Sequence, residues 1–590
     1  MDKNTVITKA KEYISKEKDA HFKGEVEKLL GEDTPQSWKE LEDRFFQNLE
    51  FGTGGLRGVV GGGFNRMNTL VVRQATQGLA NYVVKAFPQK AAKDDLKAVI
   101  AYDSRHFSKE FSEAAALVLA ANGIKCYLFS GLRPTPELSF AIRQLGADTG
   151  IVVTASHNPP QYNGYKAYWN DGSQVIEPHD AGIIDEVNKT DEIKSIDRET
   201  ALKTGKLAII DKEIDAPFHA MIRSKLFRPD LIKKMAGDVK IVYTPLHGTG
   251  AMHVEAVLGS LGLNVITVPE QRKGNGDFPT VAFPNPEEPP ALKMAIELGK
   301  KEKADVVMAT DPDADRFGIA VPASGGEFAL VTGNQMGCLL IDYVLLSLKE
   351  AGKLPANAAI VNTVVTTGMQ ARVAALYGVS TLECLTGFKW IANLMRLAET
   401  GKLEKTIVFG CEESYGYLVE TEVRDKDGIS AAAMTAEMTL YWRSKGKSLL
   451  DRLNELYTQT GYWEEAGISK YFPGPEGPAT MAGIMANYRA KPPVSLGGIA
   501  VTKTRDIKNS VTVSGGKTEP VDLPKSDVLQ FYLADGTIVS ARPSGTEPKI
   551  KFYITSCADA AGSGGLAGAK AALGEKLASI KSDIRAVIGE

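Results

Sequence analysis

Strand-like apolar runs alternate with helical segments through most of this chain, and that alternation restricts the fold more than any other feature. Residues 96–102 read as a strand, 111–121 as a helix and 125–129 as the next strand. That order specifies βαβ units and a largely parallel sheet. The same grammar restarts at 240–243 and again near 358–362, so three α/β units of similar size are expected, without a strict sequence period. The first ~50 residues read as helical, with apolar residues at helical spacing over 10–30 and again over 38–49. The other end differs. Residues 471–491 hold several Pro and Gly, 496–514 alternate as antiparallel strands do, and Gly562-Ser563-Gly564-Gly565 breaks the chain before a final helix over 566–587. A chain of 590 residues is several domains long. The expected class is α/β, with an α+β domain at the C-terminal end.

A formal charge of -3 gives no electrostatic reason to expect nucleic acid or an acidic membrane as partner. The 5 cysteines are scattered, odd in number and unpaired by spacing, which suggests neither a disulfide framework nor a zinc knuckle and points to a reducing compartment. The N-terminal stretch is charged and amphipathic, and no apolar run is long enough for a bilayer. A cytoplasmic location is expected.

Chemistry-bearing loops follow the apolar runs. Thr154-Ala155-Ser156-His157-Asn158-Pro159-Pro160 comes after Gly150-Ile151-Val152-Val153, and its two prolines stop a helix from continuing. Such a loop holds a hydroxyl at the rim of a sheet, where open α/β folds place ligands. A polar turn with Ser156 capping a short helix is the alternative. Asp311-Pro312-Asp313-Ala314-Asp315-Arg316 follows another apolar strand, 304–309. Three carboxylates aimed at one point repel unless a cation sits between them, and hard oxygen ligands favour Mg²⁺ or Ca²⁺ over zinc. An EF-hand fails here, because Arg316 stands where its glycine is needed and Pro322 where its glutamate is needed.

Three further loops are less specific alone. Gly410-Cys411-Glu412-Glu413-Ser414-Tyr415-Gly416 offers carboxylate and hydroxyl groups suited to sugar hydroxyls. Arg542-Pro543-Ser544-Gly545-Thr546-Glu547-Pro548 combines an arginine, two hydroxyls and a glycine turn, a natural phosphate cradle, with an ordinary β-turn as the rival. Phe51-Gly52-Thr53-Gly54-Gly55-Leu56-Arg57-Gly58 reads as a glycine-rich loop ending in a cation, neither a P-loop nor a Rossmann fingerprint, and otherwise a hinge. Lys166 lies within reach of the serine loop as a proton donor or acceptor, or is a solvated surface lysine. A serine, an oxygen-ligand cation, a polyol loop and a phosphate cradle together suit phosphoryl transfer, which depends on positioning and charge neutralisation. Ser156 would carry the phosphoryl group.

The ordered loops around Ser156, Asp311, Glu412 and Arg542 resemble the α-D-phosphohexomutase superfamily over nearly the whole chain. Asp277-Phe278-Pro279-Thr280, Pro284-Asn285-Pro286-Glu287-Glu288-Pro289 and Thr386-Gly387-Phe388-Lys389 add to the resemblance. Length and the helical extension look most like its phosphoglucomutase-2 and phosphopentomutase branch. The resemblance implies a heart-shaped enzyme of four domains, 1–213, 214–328, 329–446 and 447–590, carrying in turn the phosphoserine, metal, sugar and phosphate loops. It implies phosphoserine at Ser156, with Mg²⁺ on Asp311, Asp313, Asp315 and the serine phosphate. Glu412 and Ser414 would bind sugar hydroxyls, while Arg542, Ser544, Gly545 and Thr546 hold the non-reacting phosphate. Arg57, Lys166 and Arg316 would assist charge and proton movement, and Thr386, Gly387, Lys389 and Lys426 would touch substrate.

The implied reaction interconverts glucose 1-phosphate and glucose 6-phosphate through glucose 1,6-bisphosphate, in a monomer or weak homodimer whose partner is a small phosphosugar. Members with dual mannose and glucose use carry a histidine in the sugar loop as proposed acid/base. Here that loop ends Tyr415-Gly416-Tyr417, closer to the glucose type. The proton-transfer residue therefore stays open, and His157 is either catalytic or a support for the loop. A phosphopentomutase or a glucose-1,6-bisphosphate synthase would use the same residues, and a metal-dependent sugar phosphatase is the alternative of a different class.

Overall fold

The computed structural model of the chain describes residues 1–52, 54–472, 476–544, 549–560 and 564–589. The chain forms two compact units. Met1–Gly333, Ala392–Leu403 and Ser414–Ser444 make the first, and Asn334–Ile391, Glu404–Glu413 and Lys445–Glu590 the second.

The first unit holds two mixed sheets. Strands β1 (Gly55–Val59), β2 (Lys97–Tyr102), β3 (Lys125–Phe129), β4 (Thr149–Val153), β5 (Tyr162–Trp169) and β6 (Leu207–Ile210) lie in the order β1-β5-β4-β2-β3-β6. β4, β2, β3 and β6 run parallel, and β5 is antiparallel to both β4 and β1. β4 is buried along its whole length, as its unbroken apolar run requires of a strand covered on both faces. The second sheet, β7 (Lys240–Thr244), β8 (Asn264–Thr267), β9 (Val306–Thr310), β10 (Phe317–Pro322) and β11 (Phe328–Val331), has the order β11-β10-β9-β7-β8. β9 and β10 are antiparallel neighbours with Thr310 opposite Phe317. The aspartate loop is therefore a hairpin connection, tightly held at both ends.

The N-terminal extension is helical, but over Lys3–Lys16, Ala20–Glu32 and Pro35–Phe45, not unbroken from 10 to 30. Polar groups cut it. Asp19 caps the second helix through the backbone N–H of His21, and the Glu17 carboxylate accepts from the backbone N–H groups of Lys18, Asp19 and Leu70 at 2.8–3.0 Å. These helices are no loose appendage: Val6, Ala10, Tyr13, Phe22, Leu41 and Phe45 share one buried core with Ile100 of β2 and Ile151 of β4.

In the second unit β12 (Ala358–Thr363), β13 (Ser380–Cys384) and β14 (Thr406–Glu412) form a parallel set with β12 central. An antiparallel sheet follows, running in space from Tyr462–Tyr471 through Lys549–Ala558, Ile538–Pro543 and Leu529–Leu533 to Ile499–Asp506. Helices Gly477–Ala490 and Gly565–Ile588 cover it, packing Met485, Tyr488, Ile580 and Ile584 with Phe531 and Phe552. The Pro- and Gly-rich stretch is thus largely helical, because Pro478 falls in the first turn, where a missing N–H costs nothing. Three α/β units precede an α+β domain, as the alternation predicts. None of the described helices is long and apolar enough to cross a membrane.

One buried acid marks the second unit. Glu465, in strand Tyr462–Tyr471, has its carboxyl pushed up to about 7 by burial, against the lowering effect of hydrogen bonds from Thr367 and Asn334. The folded state thus binds this proton more tightly than the unfolded chain, whose carboxyl titrates near 4.5. The associated stability is complete below that value and lost as pH rises through about 7. Glu465→Gln, which keeps the size and removes the titration, should unfold later than wild type at pH 8, by about 3 kcal/mol at most. The advantage should shrink steadily toward pH 5. Thermal melts across that range check it, and a pH-independent difference would contradict it.

Candidate active site

Ser156 stands just past the end of β4 with φ +49°, a left-handed backbone that a serine adopts only when its surroundings impose it. Arg105 supplies much of that imposition. Its buried guanidinium donates to the carbonyls of Ser156 and Asn158 at 2.5 Å, of Pro159 at 2.9 Å and of Tyr162 at 3.0 Å. One planar cation fixes three carbonyls of the serine loop and that of Tyr162 at the start of β5. Asp103 completes the clamp. It lies 3.3 Å from Arg105 and accepts from the Thr154 hydroxyl at 2.6 Å, and Thr154 in turn accepts from the Ser156 N–H at 2.8 Å. The Ser156 side chain is therefore aimed by a loop held through several of its backbone groups.

The Ser156 hydroxyl lies 2.8 Å from Lys166 Nζ and donates to Asp313 Oδ2 at 3.1 Å. Lys166, in β5, also donates to the same Asp313 oxygen at 2.8 Å. Thr135, opening helix Thr135–Leu145, donates its hydroxyl to that oxygen at 2.8 Å and its N–H to the Asp313 carbonyl at 2.9 Å. Burial disfavours an ammonium at Lys166, but Asp313 and Asp315 outweigh it and raise the lysine above its ordinary range. Burial likewise disfavours the Asp313 carboxylate, yet Lys166 and the Thr135 hydroxyl hold it below its ordinary range. At Asp311 burial and the charges of Asp313 and Asp315 outweigh the lowering effect of Arg316 and push the carboxyl well up.

Asp311, Asp313 and Asp315 are at most 2% exposed, and one oxygen of each lies within 4.8 Å of the others. Asp311 Oδ2, Asp313 Oδ1 and Asp315 Oδ1 have no hydrogen-bond partner. Buried carboxylate oxygens left unpaired are costly, and three converging ones fit a hard divalent cation such as Mg²⁺. The backbone is built tightly around them. Thr249 N–H donates to the Pro312 carbonyl, and a Cβ on Gly248 would lie 2.3 Å from Pro312 Cα, so only glycine fits there.

Other expected residues fall as follows. Arg57 sits on edge strand β1, not on a flexible loop, and donates to Asn158 Oδ1 at 3.2 Å. Antiparallel pairing of β1 with β5 places residues 55–58 of the glycine-rich segment in sheet, with Arg57 opposite Gly164. Arg316 lies 3.5 Å from Glu287, and its N–H donates to Asp311. Lys426 contacts Asp315 at 3.2 Å and Asp425 at 3.1 Å. His157 is half-buried beside Ser156. In the second unit Glu412 ends β14 and accepts from the Gly387 N–H at 2.7 Å, which joins the end of that strand to the 386–389 block. The hydroxyl of Thr386 is buried without a hydrogen-bond partner, and Lys389 lies in the first turn of helix Phe388–Glu399. Arg542 lies near the end of strand Ile538–Pro543, and the N–H of Ser544 donates to the Lys549 carbonyl. Gly545 and Thr546 lie outside the described residues. Sequence reasoning missed Asp103, Arg105 and Thr135, whose roles rest on contacts far apart in the chain.

Three family models match the chain in order: phosphoglucomutase/phosphomannomutase alpha/beta/alpha domain I over 48–194, domain II over 217–325 and domain III over 332–460. A probable phosphoribomutase of Schizosaccharomyces pombe is 35% identical over 559 residues, 92% of each chain. A phosphoglucomutase of Staphylococcus epidermidis is 34% identical, covering 89% of this chain and 93% of its own. A human phosphopentomutase is also 34% identical, covering 90% of this chain and 88% of its own. Parafusin, a phosphoglucomutase of Paramecium, shares the fold, with a TM-score of 0.68 at 19% identity over 92% of this chain and 96% of its own. The chain belongs to the phosphoglucomutase/phosphomannomutase family, and it is an enzyme of the mutase class of isomerases.

The clamp can be tested directly. A lysine at 105 cannot reach four carbonyls with one ammonium, so Arg105→Lys should lower turnover by about 10–100-fold through misplacement of Ser156. It should also cost about 1–3 kcal/mol of stability. Steady-state kinetics beside a thermal melt measure both, and undiminished turnover in the folded variant would sink the positioning role.

Proposed function

We propose that the protein interconverts glucose 1-phosphate and glucose 6-phosphate through a phosphorylated Ser156 and a bisphosphorylated glucose. The observation that carries this is the Ser156 hydroxyl held between Lys166 and Asp313 in a site with three open carboxylate oxygens. The phosphoryl group passes from Ser156 Oγ to a free hydroxyl of the phosphosugar: the serine P–O bond breaks and a sugar P–O bond forms. Lys166 neutralises the charge left on Oγ, and the proton released by the attacking sugar hydroxyl ends on Oγ, so none is gained or lost in the transfer. The resulting bisphosphate reorients and gives its other phosphoryl group back to Ser156. Bound Mg²⁺ would be held by Asp311, Asp313, Asp315 and the serine phosphate, and would neutralise charge on the transferring group. Arg57 and Arg316 add positive charge beside Ser156 and the aspartate loop. Glu412, Ser414, Thr386, Gly387, Lys389 and Lys426 would recognise the sugar, and Arg542, Ser544, Gly545 and Thr546 the second phosphate. In this reading the four functional domains are 1–213, 214–328, 329–446 and 447–590.

A pentose substrate is the second reading, supported by the names of the Schizosaccharomyces pombe and human relatives. In that case ribose or deoxyribose 1-phosphate becomes the 5-phosphate by the same transfer.

Ser156→Ala should lower turnover by on the order of 10³-fold or more, with the circular dichroism spectrum unchanged. Wild type should show its highest kcat/KM on glucose 1-phosphate when compared with ribose and deoxyribose 1-phosphates, and should respond to added glucose 1,6-bisphosphate. Release of free phosphate matching substrate loss would replace the mutase reading with a phosphatase. Normal turnover in Ser156→Ala would end the covalent one.

A further inference from the structure

We propose that Glu137, Asp215 and His253 form a second divalent-cation site, distinct from the aspartate loop and suited to a zinc-like transition metal. The three residues come from three helices of the first unit, Thr135–Leu145, Lys212–Ser224 and Gly250–Ser260. One ligand atom of each lies within 4.8 Å of the others. Glu137 and His253 are fully buried.

The geometry points to a shared ion. His253 Nε2 lies 3.1 Å from Glu137 Oε2, yet neither atom forms a hydrogen bond, and Glu137 Oε1 has no hydrogen-bond partner either. Two polar atoms at contact distance but not aligned with each other are placed as two ligands of one centre are. The far side of the imidazole is fixed, because His253 Nδ1 lies 2.8 Å from His219 Nε2. Anchoring the second ring nitrogen is what orients a metal-binding histidine.

Arg133 is the element that opposes a cation, and it sets the charge of the site. It donates to both oxygens of Asp215 at 2.7 and 2.9 Å and lies 3.6 Å from Glu137. Arg133 also donates to Asp211 at 3.0 Å, so one guanidinium is divided among three carboxyl groups. One nitrogen and two carboxylate oxygens fit zinc, cobalt(II) or manganese, whereas calcium requires six to eight oxygens. The consequence reaches the active site through the same helix, since Thr135 holds Asp313 two residues before Glu137. The ion would tie that first turn to the other two helices.

A proton on Glu137 shared with Asp215 is the competing way to satisfy the cluster, and it needs no metal. The test uses full-length protein carrying Asp311→Asn, which removes a carboxylate of the aspartate loop. After chelator treatment it is titrated with Co²⁺ and with Zn²⁺, and read by metal analysis after gel filtration, by visible absorption and by thermal melting. One equivalent retained, with cobalt bands of a low-coordinate site and a rise in Tm of about 2–4 °C at a hundredfold excess over Kd, is the expected result. Adding His253→Gln or, separately, Glu137→Gln should abolish retention and bands. No retained metal in Asp311→Asn, or equal retention after His253→Gln in a folded protein, would overturn the proposal and leave the shared proton. Activity enters neither readout, so the outcome is independent of the mutase reading.

Discussion

The first unit is organised around a lysine that has been taken out of water. Lys166 keeps its charge in the interior only because Asp313 and Asp315 lie 2.8 and 3.6 Å away. Those aspartates are tolerated in turn only because cations face them. Lys426 adds a second ammonium but shares it between Asp315 and Asp425. Asp311, Asp313 and Asp315 each still keep one buried carboxylate oxygen without a hydrogen-bond partner, the kind of oxygen a hard divalent cation takes. Removing any one partner would strand another, so strand β5, the hairpin between β9 and β10 and the start of the helix at Thr135 are bound to each other by charge as much as by packing.

That interdependence explains the backbone strain at the serine. A left-handed Ser156 costs on the order of 1 kcal/mol or more by itself, and Arg105 with Asp103 offsets it through a set of buried hydrogen bonds. The strain has a purpose in the proposed chemistry. A phosphoryl relay must present its oxygen at one place in two successive transfers, and a loop with spare conformations would lose that registration. Rigidity here comes from the carbonyls that Arg105 holds, since the loop contains neither a long helix nor a sheet ladder to hold it.

How much of this was legible in the sequence depended on whether the responsible contact was local. Strands β4, β7, β9 and β12 announce themselves as apolar runs, and the aspartate loop is visible because its ligands alternate within a single turn. Lys166 was readable for a related reason, lying ten residues from Ser156 on the returning strand. The break at Glu17 and Asp19 was hidden by helical periodicity on both sides of it, with Leu70 N–H as the distant partner that rewards it. Arg57 looked like a loop residue because glycine content signals flexibility, whereas its pairing is set by a distant segment, with Gly164 of β5 as its partner. Thr135 and Asp313 are separated by 178 positions, and nothing in Pro134-Thr135-Pro136 announces that contact.

The same separation of local from distant explains why the reaction class is easier to read than the substrate. Phosphoryl transfer needs charge at fixed points, and charged residues crowded into short loops carry that information in their spelling. Choosing between a hexose and a pentose needs hydrogen-bonding groups placed against one hydroxyl pattern, and discrimination of that kind rests on buried polar groups left unpaired by the wrong sugar. Glu412 is oriented by the Gly387 N–H, so its aim is set by a backbone 25 residues away and not by the Glu-Glu-Ser spelling. Relatives of nearly equal identity bear both hexose and pentose names, so overall identity does not separate the two substrates.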